Sequence, residues 1–289
     1  MNRPVVVGVD GSPSSLVAAE HAARAAVLRH LPLHLVHGYL HPLGYGVPLN
    51  PYDLGVPAPT EEAQRMLEQV AADLTERHPT LEVSVRQVAG GPGATLVEES
   101  RRADLVVVGS RGVGGFAGLL LGSVSTQVAQ HGHCPVLVVR PAEQPIPVAG
   151  PVLVGVDGSE PAALAVRLAA DEAVRRDADL VLVHVRPTER DASTPEDTAA
   201  GEAESAELLA AAEARIRSDH PVLTVLRRPV PGDSPERALV EASGEAALLV
   251  VGSRGRGGFA GMLLGSVSQA LVQHAHCPVL VAHPVEPGP

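Results

Sequence analysis

A seventeen-residue segment occurs twice in this 289-residue chain, as Gly109-Ser-Arg-Gly-Val-Gly-Gly-Phe-Ala-Gly-Leu-Leu-Leu-Gly-Ser-Val-Ser125 and Gly252-Ser-Arg-Gly-Arg-Gly-Gly-Phe-Ala-Gly-Met-Leu-Leu-Gly-Ser-Val-Ser268. Only Val113/Arg256 and Leu119/Met262 differ between the copies. The residue types suit anion binding. Gly109, Gly112, Gly114, Gly115 and Gly122, with Gly252, Gly255, Gly257, Gly258 and Gly265, let backbone N–H groups approach a phosphate with no Cβ in the way. Ser110, Ser123, Ser125, Ser253, Ser266 and Ser268 add hydroxyls. At a helix start the dipole favours negative charge. Two such cradles predict two phosphate sites in two similar domains. Arg111 and Arg254 suit a charged fork on a phosphate, and equally a solvated loop charge.

The chain contains no lysine; its 22 basic residues are all arginine. That excludes a Walker-A loop, whose lysine reaches the β- and γ-phosphates, and Schiff-base chemistry. A net charge of −11 with no basic run argues against nucleic acid or an anionic membrane as partner. No apolar run approaches the ~20 residues of a membrane span. The start, Met1-Asn-Arg-Pro-Val-Val-Val-Gly-Val-Asp10, does not read as a secretion signal. Cys134 and Cys277 hold equivalent places, which is no disulfide framework. The expected compartment is the cytoplasm.

The elements that position the cradles also recur, with an offset of 143 to 147 residues. Val5-Val-Val-Gly-Val-Asp-Gly-Ser12 matches Val152-Leu-Val-Gly-Val-Asp-Gly-Ser159, and His133-Cys-Pro-Val-Leu-Val138 matches His276-Cys-Pro-Val-Leu-Val281. The first half reads as strand Val5–Val9, helix Ser14–Arg29, strand Leu33–His37, helix Thr60–Arg77 and strand Leu81–Val88. Helix Ala94–Arg102, strand Leu105–Val108, helix Ser123–His131 and strand Val136–Val139 follow. The second half reads Val152–Val156, Pro161–Arg175, Leu180–Val185, Ala203–Ser218, Leu223–Val230, Pro235–Ser243, Leu248–Val251, Ser266–His274 and Val279–Val281. Near-continuous Val/Leu strands alternating with helices predict an α/β fold: two doubly wound, five-stranded parallel-sheet domains. The expected domains are 1–142 and 150–289, joined by a Pro-rich linker at 143–149. Ligands in such sheets sit at the carboxyl ends of strands, where strand order reverses. Asp10, Asp157, Gly109 and Gly252 stand at those ends.

Gly112-Val-Gly-Gly-Phe-Ala117 and its second copy fit G-x-G-x-x-A, but they follow a fourth strand and no acidic residue follows about 20 positions later. The better parse is G-x2-G-x9-G-S: Gly109, Gly112 and Gly122-Ser123, then Gly252, Gly255 and Gly265-Ser266. On this signature, with Val-Asp-Gly-Ser at the first strands and Cys-Pro-Val-Leu-Val at the last, the chain resembles the universal stress protein family, in its tandem two-domain, ATP-binding form. The resemblance implies strand order 3-2-1-4-5, as in adenine nucleotide alpha-hydrolase-like domains. It also implies ATP as ligand and pairing through the fifth strands. Mg2+ is expected as phosphate counter-ion, though the sequence shows no dedicated carboxylate pair for it, and a homodimer is the expected assembly. It places Gly8, Asp10, Gly155 and Asp157 near the adenosine. The backbone at His37-Gly38 and His184-Val185 would meet the base. The glycine loops, including Val113 and Arg256, with Ser123, Val124, Ser125, Ser266, Val267 and Ser268, would hold ribose and phosphates.

Alternatives remain. Asp10 and Asp157 serve either the ligand or the cap of the next helix, with Ser12 and Ser159 nearby. The glycines serve either phosphate or tight packing. His131-Gly-His133-Cys134 and His274-Ala-His276-Cys277 resemble metal sets, but a helix end carrying cations before a small buried cysteine explains them without metal. No Gly-x-Ser-x-Gly elbow supports a hydrolase triad. The loop Gly38–Pro59 holds all three tyrosines and reads as a lid or partner surface, or as a disordered connector; its counterpart Arg186–Glu202 is acidic and Ala-rich. The expected activity is that of a nucleotide-dependent stress or dormancy regulator with little or no hydrolysis. A slow ATPase or nucleotide-transfer enzyme is the alternative, and a nucleotide-free scaffold the third reading.

Overall fold

In the computed structural model the described residues are 3–39, 61–112, 121–141, 149–186, 195–256 and 263–284, with 195–198 described in backbone only. The chain divides into two compact units, residues 1–141 and 142–284 forming their main bodies. The lid candidate beyond Tyr39, most of the linker, Val113, Gly114, Gly115, Gly257 and Gly258 lie outside the described residues.

The first unit runs β1 (Val5–Gly8), α1 (Pro13–Arg29), β2 (Leu33–Tyr39), α2 (Glu61–Arg77), β3 (Val83–Ala89), α3 (Pro92–Ser100), β4 (Leu105–Gly109), α4 (Ser123–His131) and β5 (Val136–Val139). Its strands pair in parallel in the order β3-β2-β1-β4-β5. The second runs β6 (Val152–Gly155), α5 (Glu160–Arg176), β7 (Leu180–Arg186), α6 (Pro195–Asp219), β8 (Val225–Pro231), α7 (Pro235–Ala242), β9 (Leu248–Gly252), α8 (Ser266–His274) and β10 (Val279–Ala282). Its strands pair in parallel in the order β8-β7-β6-β9-β10. This is the 3-2-1-4-5 order in each unit.

Composition explains the layering. Strands buried on both faces need continuous apolar runs, and β1 and β4 read VVVG and LVVVG. Helix α1 presents Ala18, Ala19, Ala22, Ala23 and Ala26, all buried, so its backbone lies close over β1 and β4, with which it is in contact. Helix α1 also touches α2, while α3 touches α4 and lies on β1 and β2. Right-handed crossovers that reverse direction after β3 therefore put α1 and α2 on one face and α3 and α4 on the other. The second unit repeats this, with α5 against α6 and α7 against α8.

Strand β2 runs on through Gly38 and Tyr39, read from the sequence as the start of the loop, and β3, α3 and β8 begin two residues from their expected starts; the largest departure is α6. Helix α6 begins at Pro195 rather than Ala203, so half of the Arg186–Glu202 stretch is helix and not connector. Proline fits a first helical turn, where its missing N–H costs nothing, and the Ala- and Glu-rich run that follows has strong helix propensity.

Candidate functional site

Strand β1 lies between β2 and β4, so chain direction across the sheet reverses there, and a crevice opens at the carboxyl ends of β1 and β4. A cleft of about 490 Å³ occupies it, lined by Gly8, Asp10, Gly38, Gly109, Arg111, Gly112, Gly122, Ser123, Val124 and Ser125. A second cleft of about 440 Å³ stands at the same place in the other unit, lined by Gly155, Asp157, Val185, Gly252, Arg254, Gly255, Arg256, Gly265, Ser266, Val267 and Ser268. Both volumes suit a small-molecule ligand.

The turn after each first strand is set by Asp-Gly-Ser. Gly11 and Gly158 take φ of +81° and +80°, a left-handed conformation open to glycine. Asp10 Oδ1 accepts from the Ser12 amide at 3.0 Å, and Asp157 Oδ1 from the Ser159 amide at 2.9 Å. Ser12 and Ser159 then cap α1 and α5 through the amides of Ser15 and Ala162. Each aspartate also faces the glycine loop. A Cβ on Gly112 would lie 2.5 Å from Asp10 Oδ2, and one on Gly255 2.6 Å from Asp157 Oδ2. The amide of Arg256 donates to Asp157 Oδ2 at 3.2 Å. One oxygen thus organises the turn while the other meets the loop, so the cap and cleft readings of these residues coexist.

The glycines sort into two kinds. At Gly109 a Cβ would sit 2.7 Å from the Ser14 backbone, and at Gly252 2.7 Å from that of Pro161. These two are needed so that α1 and α5 can cross the ends of β4 and β9. Gly122 and Gly265 are different. They are the N-cap residues of α4 and α8 at φ −78° and −72°, extended backbone that any residue adopts. The nearest neighbour of an added Cβ is 3.4 Å away in both. Neither backbone conformation nor packing among the described residues requires glycine there.

Nor does a side chain cap either helix, whereas serines cap α1, α5 and α7. The first-turn amides of α4, from Ser123, Val124 and Ser125, have no carbonyl partner within the helix, and those of α8 match them. They open on the clefts with the positive end of the helix dipole behind them. The Ser125 hydroxyl is committed elsewhere: it donates to the Gly109 carbonyl at 2.8 Å, as Ser268 donates to that of Gly252 at 2.6 Å. These two hydroxyls hold the loop, so at Ser125 and Ser268 only the backbone amide is left for a ligand. Ser110 and Ser253 are not in the cleft linings. Their carbonyls accept from the Gly122 and Gly265 amides at 2.7 and 2.8 Å, supporting the loop from beneath.

An apolar wall that the sequence reading missed completes each cleft: Pro92 and Leu96 from α3 with Val36, and Pro235 and Leu239 from α7 with Val183. Its signal was available in the repeat Pro-x-x-x-Leu, present at both places.

The electrostatics differ between halves. Burial, and then the guanidinium of the cleft residue Arg111, lower the Arg140 pKa in the first half. At the second, Ser266 Oγ donates to Glu236 Oε1 at 2.9 Å, and the Ser234 hydroxyl donates to Oε2 at 3.0 Å. The Glu236 backbone amide, then Ser266 and Ser234, hold this carboxyl below the usual range against an opposing burial. Arg256 pairs with Glu204 of α6 at 2.9 Å. His37 Nδ1 donates to the Val9 carbonyl at 2.8 Å, whereas His184 bonds with Ser205 at 3.0 Å. Burial, then Arg256, keep the His184 pKa below its ordinary value. Cys134 and Cys277 are buried away from the clefts, which pushes both thiols up to about 12. Among the described residues no His/Cys/Asp/Glu group could hold a metal ion.

The profile of the Universal stress protein family matches residues 1–140 and again 149–283. The chain belongs to this family. Universal stress protein Rv2623 of Mycobacterium tuberculosis (strain ATCC 25618 / H37Rv) is 41% identical over 289 residues, covering 96% of this chain and 95% of its own. A universal stress protein of Mycolicibacterium smegmatis is 40% identical, covering 97% of each. The solved universal stress protein from Archaeoglobus fulgidus DSM 4304 shares the fold, with a TM-score of 0.71 at 22% identity over 99% of this chain and 98% of that one. As a universal stress protein with two repeats, the chain carries its duplicated cradle at the equivalent place in each.

Proposed function

We propose that each half of this universal stress protein binds one adenine nucleotide, ATP with Mg2+ as phosphate counter-ion. In this reading the protein is a nucleotide-dependent regulator of stress or dormancy, with little or no hydrolysis. The carrying observation is Gly122 and Gly265: glycines that neither φ nor packing among the described residues demands, each standing before an uncapped helix start at the mouth of a cleft. In this reading a bound phosphate is what keeps a Cβ away. A phosphate accepting from the first amides of α4 or α8 fits that space without lysine. The apolar walls of Pro92 and Leu96, or Pro235 and Leu239, suit a purine face. Asp10 and Asp157, which line the clefts with one oxygen facing the glycine loop, would serve the ribose in this reading.

A regulatory rather than catalytic role is supported by the commitment of cleft side chains to structure. Asp10 and Asp157 organise turns, and Ser125 and Ser268 hold loops. Occupancy would favour the conformations in which loop and helix start converge, a population shift set by differential affinity. The reading includes pairing through the apolar fifth strands, homodimerisation, and the cytoplasm. Among the described residues no helix is long and apolar enough to cross a membrane. Denaturing freshly purified protein and identifying what it releases tests the reading. Adenine nucleotide approaching two equivalents per chain is expected. Absence of any nucleotide, together with no binding of added ATP, would sink it.

A further inference from the structure

The two clefts are not chemically equivalent, and the difference traces to a reciprocal exchange. Where α7 carries Glu236, α3 carries Gly93; where α8 carries Ala270, α4 carries Gln127. In the first half a Cβ on Gly93 would lie 2.0 Å from Gln127 Oε1, so the amide side chain fills the space that a longer residue would need. In the second half the shorter Ala270 stands in place of Gln127, and the Glu236 carboxylate accepts from Ser266. Ser123, the residue matching Ser266, has no hydrogen-bond partner among the described residues.

We propose that Glu236 is a specificity-determining residue that makes the second cleft the weaker site for free polyphosphate nucleotide, so that the two halves fill in sequence. The inference rests on the nucleotide reading above. A phosphate at the start of α8 must either displace the carboxylate from the Ser266 hydroxyl or sit beside it. Both oxygens of the carboxylate are held, by Ser266 and Ser234, so swinging away costs two hydrogen bonds. Arg254 lines the second cleft as Arg111 lines the first, while the Arg256 side chain is engaged by Glu204 and its amide by Asp157. At the position of Glu236 the first half has the uncharged Gly93, packed against Gln127. A carboxylate a few ångströms from a phosphate in a partly solvated cleft weakens binding about tenfold.

Equilibrium dialysis of the full chain with ATP in EDTA at low salt tests the proposal. Wild type is expected to show two classes of site about tenfold apart, with Gly265→Val removing the weaker one. Glu236→Gln, which keeps an acceptor for Ser266, is expected to tighten the weaker class about tenfold and leave the stronger unchanged. Uncharged adenosine separates charge from shape: its affinity is expected to be equal in wild type and Glu236→Gln. The reverse graft, Gly93→Glu with Gln127→Ala, is expected to weaken the stronger class, and raising salt to narrow the gap. Equal wild-type affinities, or an adenosine response as large as that of ATP, would overturn the proposal while leaving nucleotide binding standing. A Glu236→Gln protein that binds Mg–ATP less tightly than wild type would also overturn it, because the carboxylate would then serve the cation. Failure of both halves to bind ATP would remove the underlying reading as well.

Discussion

Replacing Gly122 by valine separates a glycine kept for the ligand from one kept for the fold. The position has φ −78° and ψ 159°, a region that β-branched residues favour, and the nearest protein atom to an added Cβ is the Ser110 carbonyl oxygen at 3.4 Å. Removing glycine also narrows the unfolded ensemble, which contributes up to about 1 kcal/mol in favour of the variant. The branched methyl groups oppose this by crowding the loop, so the net change in stability should lie within about 1 kcal/mol. Binding should respond very differently. The side chain would stand over the first amides of α4, where a phosphate accepts charge-assisted hydrogen bonds worth about 1.5–3 kcal/mol each. Losing two costs at least about 3 kcal/mol, more than a hundredfold in Kd. The assay is calorimetric titration with ATP, run beside thermal unfolding and circular dichroism without ligand. Stoichiometry should fall from two to one per chain with helical content and Tm preserved. A folded Gly122→Val protein that still binds two equivalents, with affinities within threefold of wild type, would refute the reasoning.

Three further outcomes are expected. Gly109→Ala puts a Cβ 2.7 Å from the Ser14 backbone, so it should destabilise the first unit by about 1–3 kcal/mol; an unchanged urea midpoint would contradict the packing role. Ser268→Ala strips the Gly252 carbonyl of a 2.6 Å donor, costing about 1–2 kcal/mol, and hydrogen exchange should speed up at residues 252–256 but not at the matching residues 109–112. Burial, then Arg256, lower the His184 pKa, so as pH falls through about 6.5 the unfolded chain takes the proton first and stability declines toward the lowered folded value. The urea midpoint of the second unit should therefore fall from pH 7 to 5.5, and His184→Gln should flatten that slope; identical slopes would show that His184 plays no part.

The fold was legible because strands buried on both faces must be apolar throughout. Val5–Val9, Leu105–Val108 and Val136–Val139 leave little room for another assignment, and the observed strands differ from these readings by a residue at most. The order 3-2-1-4-5 was less accessible. It came from the family resemblance, since nothing in a strand's own sequence names its neighbour. The early start of α6 escaped because the Ala- and Glu-rich sequence near Pro195 lacks the apolar stripe by which α2 was recognised.

The site was legible in outline and not in its division of labour. Duplication identifies which residues matter but cannot say why, because packing and ligand binding both preserve glycine. Gly109 and Gly122 look alike in sequence; what separates them is whether Ser14 or open space faces the missing Cβ. The hydroxyls show the same limit. Ser123 and Ser125 stand two residues apart on one helix start, yet Ser125 turns inward to the Gly109 carbonyl while Ser123 stays exposed. Glu236 was invisible for a different reason. It reaches Ser266 from another helix, at a position where the first half has Gly93 packed against Gln127. Repeats therefore mislead where they are most persuasive. The segment in which the halves agree forms the cradle, but whether the cradles act alike is decided by residues outside it, where the copies diverged.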